Sequence, residues 1–334
     1  MGMLPLLPPC RPQLVGIARL AANGESLRQG HEVEYFTLPA RSLLNRCVSK
    51  RELSFTWTIN PYRGCEFACK YCYARYTHEF MELRDGIAFE QKIYVKQHAA
   101  DLLRQELRQV KAGESIAIGT ATDPYQPAER KFEVTRGILE EFAGHEGLEL
   151  GIVTKSNLIL RDLDLLQHVA RANRLSVSVT ITTLNVELAR ILEPRAPRPD
   201  LRLEAVHKLN EAGIPTGVNC CPVLPGITDS PRDLEAVVRA TAKAGGKHVF
   251  ANPLFLKPCS AAVFMPFLEK EFPQLAQSYR ERYKDRAFLP KSYHERISQL
   301  MSRLREKHGL TKQRAKFQTR LRDLHATAEQ MALF

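Results

Sequence analysis

The chain has 334 residues, 44% of them hydrophobic and 25% charged, with a net charge of +11. That length can bury a sizeable core, and no run of about 18 apolar residues is present to cross a bilayer. The charge is uneven. Leu254–Phe334 carries 16 lysines and arginines against 8 aspartates and glutamates, an excess that suits either a solvated helical face or a phosphate-bearing partner such as nucleic acid.

Met1–Pro12 is Pro-rich and weakly apolar, without the basic start and long apolar run of a signal peptide. Eight cysteines, three of them clustered, fit a reducing, cytoplasmic compartment better than a disulfide framework. Residues 1–50 lack sustained periodicity and read as an extended N-terminal arm. Ser54–Asn60 alternates and is rich in aromatic and β-branched residues, a strand signal, and Ala88–Lys96 reads as another extended piece. His98–Val110 has apolar residues at helical spacing. A rhythm then sets in. Strands are predicted over Ser115–Gly119, Leu148–Val153, Leu175–Ile181, Ile214–Cys221 and His248–Ala251. Helices are predicted near Val134–Phe142, Leu163–Arg171, Val186–Leu192, Leu201–Ala212 and Leu234–Ala244.

Counted from Ser54, this makes six strand-then-helix units over residues 51–253, which call for a parallel sheet. The expected fold is α/β, an incomplete (β/α)6 barrel of the TIM type, with an open doubly wound sheet as the alternative. In such barrels chemistry gathers at the C-terminal ends of the strands. Residues 254–334 read as a basic helical extension, with helices over Ala262–Phe272, Gln274–Arg286, Tyr293–His308 and Thr311–Met331.

The most specific motif follows the first of these strands: Cys65, Cys69 and Cys72, spaced C-x3-C-x2-C, with Tyr71 before the last cysteine. Three thiolates within eight residues can grip one side of an iron–sulfur cluster and leave one iron for a ligand that is not protein. A structural zinc site with His78 as fourth ligand is the competing reading. Cys220 and Cys221, on the fifth strand, read as core thiols or as a hydrogen donor facing the cavity. Glu193 and Arg195 read as a helix-end ion pair or a substrate clamp. Asp123-Pro124-Tyr125 reads as a turn or as part of the site.

With Tyr71 in place, this spacing resembles the radical S-adenosylmethionine (radical SAM) superfamily. Within it the chain most resembles the spore photoproduct lyase-like branch, over roughly Tyr35 to Asn252. The resemblance rests on Asn60-Pro61-Tyr62-Arg63-Gly64-Cys65, Thr77-His78-Glu79, Gly119 through Pro127, Thr154-Lys155-Ser156, and Leu192-Glu193-Pro194-Arg195-Ala196-Pro197. It implies a [4Fe–4S] cluster on Cys65, Cys69 and Cys72, with S-adenosylmethionine (SAM) on the open iron. It implies reductive cleavage to methionine and a 5′-deoxyadenosyl radical, with electrons from a flavodoxin- or ferredoxin-type reductant. By the same resemblance Thr122, Asp123, Lys155 and Ser178 hold the methionyl end of the cofactor, Tyr71 lies beside the adenine, and Leu224 flanks it. The chain departs from the lyase at Thr120, which stands where the lyase has its hydrogen-donating cysteine. The substrate is therefore not carried over, though a nucleic-acid component suits the branch. The other classes open to the chain are a nucleic-acid-binding protein with a structural metal and a cluster-based electron carrier.

Overall fold

A computed structural model describes residues 14–29, 33–47, 55–111 and 113–310. Its strands are β1 (Ser26–Gln29), β2 (Glu34–Leu38), β3 (Leu44–Arg46), β4 (Trp57–Ile59), β5 (Tyr62–Arg63), β6 (Lys92–Lys96), β7 (Ser115–Ile118), β8 (Glu149–Thr154), β9 (Arg174–Thr180), β10 (Thr216–Val223) and β11 (Val249–Pro253).

The runs over β7, β8 and β9 are buried at nearly every position, as strands covered on both faces must be. They lie in a seven-stranded sheet of order β11-β10-β9-β8-β7-β4-β3. From β4 to β11 every pairing is parallel, and β3 alone runs antiparallel, against β4. The six parallel strands follow one another in chain order with no reversal. A doubly wound sheet needs a point where the order reverses, so the arrangement is that of a partial barrel. The main core fills it, with Ile118, Ile152, Val177 and Val218 from the strands packed among Leu139, Leu166, Val206 and Val238 from the helices.

A second sheet, of order β1-β2-β6-β5, flanks the excursion between β4 and β7. It corrects the expectation of an extended arm. The described residues before 50 form the Gly16–Ala22 helix and three strands, with β2 paired in parallel to β6 over five residues. The predicted extended piece Ala88–Lys96 is also corrected, because Ala88–Gln91 is one helical turn leading into β6. After β11 come helices Pro258–Glu271, Pro273–Tyr283 and Lys291–Lys307. The predicted helix Thr311–Met331 and Cys10 lie outside the described residues. Among the described residues no helix is long and apolar enough to cross a membrane.

Candidate active site

The cysteine loop follows β4 and β5, and its course is fixed by backbone bonds to distant parts of the chain. Cys65 N–H donates to Phe89 O (2.9 Å), Lys70 N–H to Leu192 O (2.9 Å), and Cys72 N–H closes a turn on Cys69 O (3.1 Å). Gly64, at φ +85°, has no room for a side chain, since a Cβ there would meet Lys92 O at 2.7 Å. Its carbonyl accepts from Thr122 Oγ1 (2.5 Å) and Gln126 Nε2 (3.2 Å). Gln126 Oε1 takes the Glu66 N–H (2.9 Å), so one buried amide spans both ends of the Gly64–Glu66 turn. Arg75, buried in an ion pair with Glu90 (2.7 Å), donates to Cys69 O (3.0 Å).

Burial pushes all three thiols upward. Cys65 rises well above the ordinary range, with Asp123 and the other two cysteines adding to the effect, and Cys69 is pushed to about 12 against the pull of Lys155. Cys72 rises too, opposed by Arg75. The three are free thiols. Among the described residues no three His, Cys, Asp or Glu side chains stand ready-made for a metal ion. The donor set nonetheless fits an iron–sulfur cluster, because soft thiols on one pinned loop are what such a cluster takes. Against the Cys3His zinc reading, His78 turns its Nε2 to Lys92 O (3.1 Å) and packs edge-on against Phe89 and Tyr94.

The loops after β7 and β8 meet at Asp123. Its Oδ1 accepts from Thr154 Oγ1 (2.7 Å) and Tyr125 N–H (2.9 Å), and its Oδ2 from Lys155 N–H (2.7 Å). A carboxylate offers about four lone-pair sites, so Oδ2 keeps acceptor capacity. Lys155 Nζ stands 3.9 Å from Glu193 Oε1 and 5.6 Å from the centre of the Tyr71 ring. Burial alone would lower the pKa of this ammonium, but Cys69 and Glu193 outweigh it and raise it. Thr122, Asp123 and Lys155 thus adjoin the cysteine loop, whose own Tyr71 faces Lys155. Thr122 does so as a support, its hydroxyl spent on Gly64 and Gln126 (2.9 Å). Leu224 is fully buried against Phe67, Cys69 and Tyr71.

Ser178 is placed differently. It lies within β9, two residues before the strand's last, and its hydroxyl is 3.3 Å from His248 Nε2. Ser178 pairs with Gly217 on β10, and a Cβ at Gly217 would stand 2.5 Å from the His248 ring. The glycine lets the imidazole cross β10 to reach the serine. The two β10 thiols separate as well. Cys220 is sealed in the main core, whereas Cys221 is partly exposed, its Sγ 4.0 Å from Phe250 O and within the influence of Lys155.

Glu193 is the centre of a buried network missed in the sequence. Its Oε1 takes the Tyr71 hydroxyl and Thr182 Oγ1 (2.9 Å), and its Oε2 takes Arg202 Nη2 (2.5 Å). Glu193 thus has Arg202 as an ion-pair partner, and Arg195 donates its backbone N–H to Phe67 O (3.4 Å). Arg202 was visible in principle. It lies on the helix stripe with Ala205, Val206 and Leu209, where an arginine is out of place without a partner. Burial alone would raise the Glu193 pKa, but Arg202 and Lys155 hold it at about 2. A carboxyl depressed on folding stabilises fully above its unfolded pKa, about 4.3, and that stability is lost as pH falls toward the folded value. Urea titrations between pH 5 and 2 are expected to show this slope, and Glu193→Gln to flatten it; an unchanged slope would remove Glu193 as its source.

Three thiols beside a buried cation, at the C-terminal ends of six parallel strands, stand where partial-barrel enzymes gather their chemistry. The family model for the radical SAM superfamily matches residues 59–239, and the chain belongs to that superfamily. It is 36% identical over 279 residues to the uncharacterized protein Rv2578c of Mycobacterium tuberculosis, covering 83% of this chain and 82% of that one. It is 30% identical over 218 residues to the uncharacterized protein MJ0683 of Methanocaldococcus jannaschii, covering 65% and 77%. Among solved structures it shares the fold of spore photoproduct lyase complexed with dinucleoside spore photoproduct, at TM-score 0.61 and 18% identity, covering 82% of this chain and 79% of that one. The protein is a radical SAM enzyme, and the chemistry of its family is reductive cleavage of SAM.

Proposed function

We propose that Cys65, Cys69 and Cys72 hold one [4Fe–4S] cluster and that SAM completes its fourth iron. Bound together, the two supply a 5′-deoxyadenosyl radical that takes hydrogen from a substrate. Lys155 pairs with the SAM carboxylate, and Asp123 Oδ2 accepts from its ammonium or ribose. Tyr71 and Leu224 flank the adenine. Glu193 keeps Tyr71 and Lys155 in place, and Thr122 with Gln126 sets the turn that enters the cysteine loop. Ser178 is left to His248. Of the remaining candidates, Cys221 is the thiol on the accessible side of β10, Cys220 is a core residue, and Arg195 supports the loop at Phe67.

The observation that carries this reading is the meeting of three free thiols with Lys155 and Asp123 at the strand ends. Anaerobic reconstitution with iron and sulfide, followed by dithionite and SAM, is expected to release 5′-deoxyadenosine and methionine. A fully loaded protein that releases neither, with or without nucleic acid, would be an electron carrier. Stoichiometric zinc without sulfide would make the cysteines a structural site. A reducing cytoplasm and a flavodoxin- or ferredoxin-type donor suit the free thiols. The basic region from 254 to 334 and the dinucleoside bound by spore photoproduct lyase favour a nucleic-acid component as substrate. We read residues 51–253 as the catalytic barrel and the region from 254 as a helical extension packed on it.

A further inference from the structure

A cavity of about 410 Å³ opens beside the cysteine loop, lined by Asn60, Arg63, Tyr73, Tyr76, Lys96 and Thr120 among others. Its walls come from both sheets. Tyr73 follows Cys72 directly, and its hydroxyl donates to Thr120 O, so the cavity adjoins the loop that carries the thiols.

The charge of the described lining is one-sided. None of the described lining residues is an aspartate or glutamate. Lys96 is only 5% exposed, yet among the described residues its ammonium has no hydrogen-bond or ion-pair partner, and neither has the guanidinium of Arg63. The carboxylate whose field reaches Lys96 is Glu106, and its Oε2 is already spent on the N–H groups of Leu43 (2.9 Å) and Leu44 (2.7 Å). Two cations in a partly desolvated cavity, with no carboxylate among its described lining residues, are expensive to keep charged. A site of this kind is completed by an anion from outside.

The walls narrow down that anion. A rigid guanidinium fork beside a point-charge ammonium suits a phosphate, which presents several oxygens to both. Phe55 and Phe80 line the same cavity as Tyr73 and Tyr76, so its apolar side is aromatic. Aromatic faces stack nucleobases with little regard to sequence. The volume lies at the small end of ligand pockets, which span about 300–1,000 Å³, room for about one nucleotide.

We propose that this cavity is the substrate pocket and takes a single nucleotide unit, its phosphate on Arg63 and Lys96 and its base against the aromatic wall. The assignment rests on the reading that the radical is generated at the adjoining cysteine loop. A nucleotide here would place its sugar or base, rather than its phosphate, toward Tyr73 and Thr120.

The test is calorimetric titration of the full-length protein, cluster-loaded and cluster-free, with deoxynucleoside 5′-monophosphates, the matching nucleosides, inorganic phosphate and a short single-stranded oligonucleotide. Monophosphates are expected to bind about 10- to 100-fold more tightly than nucleosides, the margin of a charged hydrogen-bonded contact. Lys96→Met is expected to lose most of that margin, with iron content unchanged and a melting temperature equal to or above that of the parent. The margin should also shrink in the parent protein between pH 7 and 9. Burial and the Arg63 charge bring Lys96 down to about 7 against the opposing pull of Glu106. The other titratable groups of the cavity, Cys47, Tyr62, Tyr73 and Tyr76, are all pushed up, out of that window. Tighter binding of the oligonucleotide supports a strand as the source of the nucleotide, and equal binding of the mononucleotide supports a free one.

Equal affinity for nucleosides and monophosphates in the folded parent would overturn the proposal. So would a folded Lys96→Met protein that keeps the margin, or inorganic phosphate binding as tightly as the nucleotides. SAM cleavage without nucleotide binding sinks the pocket alone. Nucleotide binding by a loaded protein that never cleaves SAM sinks the radical reading and leaves the pocket standing.

Discussion

Replacing Arg202 with methionine is expected to destabilise the protein by about 3–5 kcal/mol, the usual cost of stranding one member of a buried ion pair. The guanidinium bonds Glu193 Oε2 (2.5 Å), Pro197 O (2.7 Å) and Thr180 O (3.1 Å), so its loss unsatisfies three acceptors at once. The costliest is Glu193, which is 2% exposed and would keep only neutral donors and the more distant Lys155. Urea unfolding measures the loss. The double variant Glu193→Gln/Arg202→Met should recover much of it, because it removes the stranded charge as well. A single variant as stable as the parent would show that the pair is dispensable. The effect should also reach the site, since the Tyr71 hydroxyl rests on Glu193 and Lys155 faces the same carboxylate. SAM binding is expected to weaken in the single variant even at temperatures where it remains folded.

Cys69→Ala is expected to abolish cluster retention and, with it, release of 5′-deoxyadenosine. Cys69 sits in the middle of the triplet, 8% exposed, with its carbonyl gripped by Arg75. The loop is held by backbone bonds of Cys65, Lys70 and Cys72, none of which needs the Cys69 thiol. The variant should therefore fold, and its iron and sulfide content after reconstitution isolates ligation from structure. Iron equal to that of the parent would refute the assigned role. Substitution at Cys220 provides the contrast. That thiol is sealed among core side chains, so Cys220→Ala should cost stability by leaving a small cavity while iron loading stays intact.

The six parallel strands were legible in the sequence because strands covered on both faces read as short apolar runs, as over Ile116–Ile118 and Leu150–Ile152. The cysteine triplet stood out in the sequence because its spacing is local. What precedes residue 50 was not. β1 is the polar run Ser-Leu-Arg-Gln, β3 is three residues long, and the Gly16–Ala22 helix has no side-chain cap. Such elements form because β2 finds β6 some 60 residues on, a pairing no local pattern encodes. The same limit applied at the site. Asp123 and Lys155 could be chosen from their loops, but Glu193 meets Arg202 only because two chain segments fold against the end of β9. Thr122 looked like a cofactor ligand for its position, and only the fold shows its hydroxyl committed to Gly64.

The helices after β11 do more than extend the chain. Ser260 Oγ donates to Cys72 O (2.9 Å), Tyr279 donates to Pro225 O (2.8 Å), and Phe264, Leu268 and Tyr279 pack in one cluster with Phe67, Cys69 and Tyr71. They form the wall between the cysteine loop and bulk water. Dioxygen attacks iron–sulfur centres from solvent, so the durability of such a centre in air depends on how seldom that wall opens. For the proposed cluster, loosening the Pro258–Glu271 helix would shorten the time the enzyme survives outside an anaerobic chamber, with all three thiols still in place.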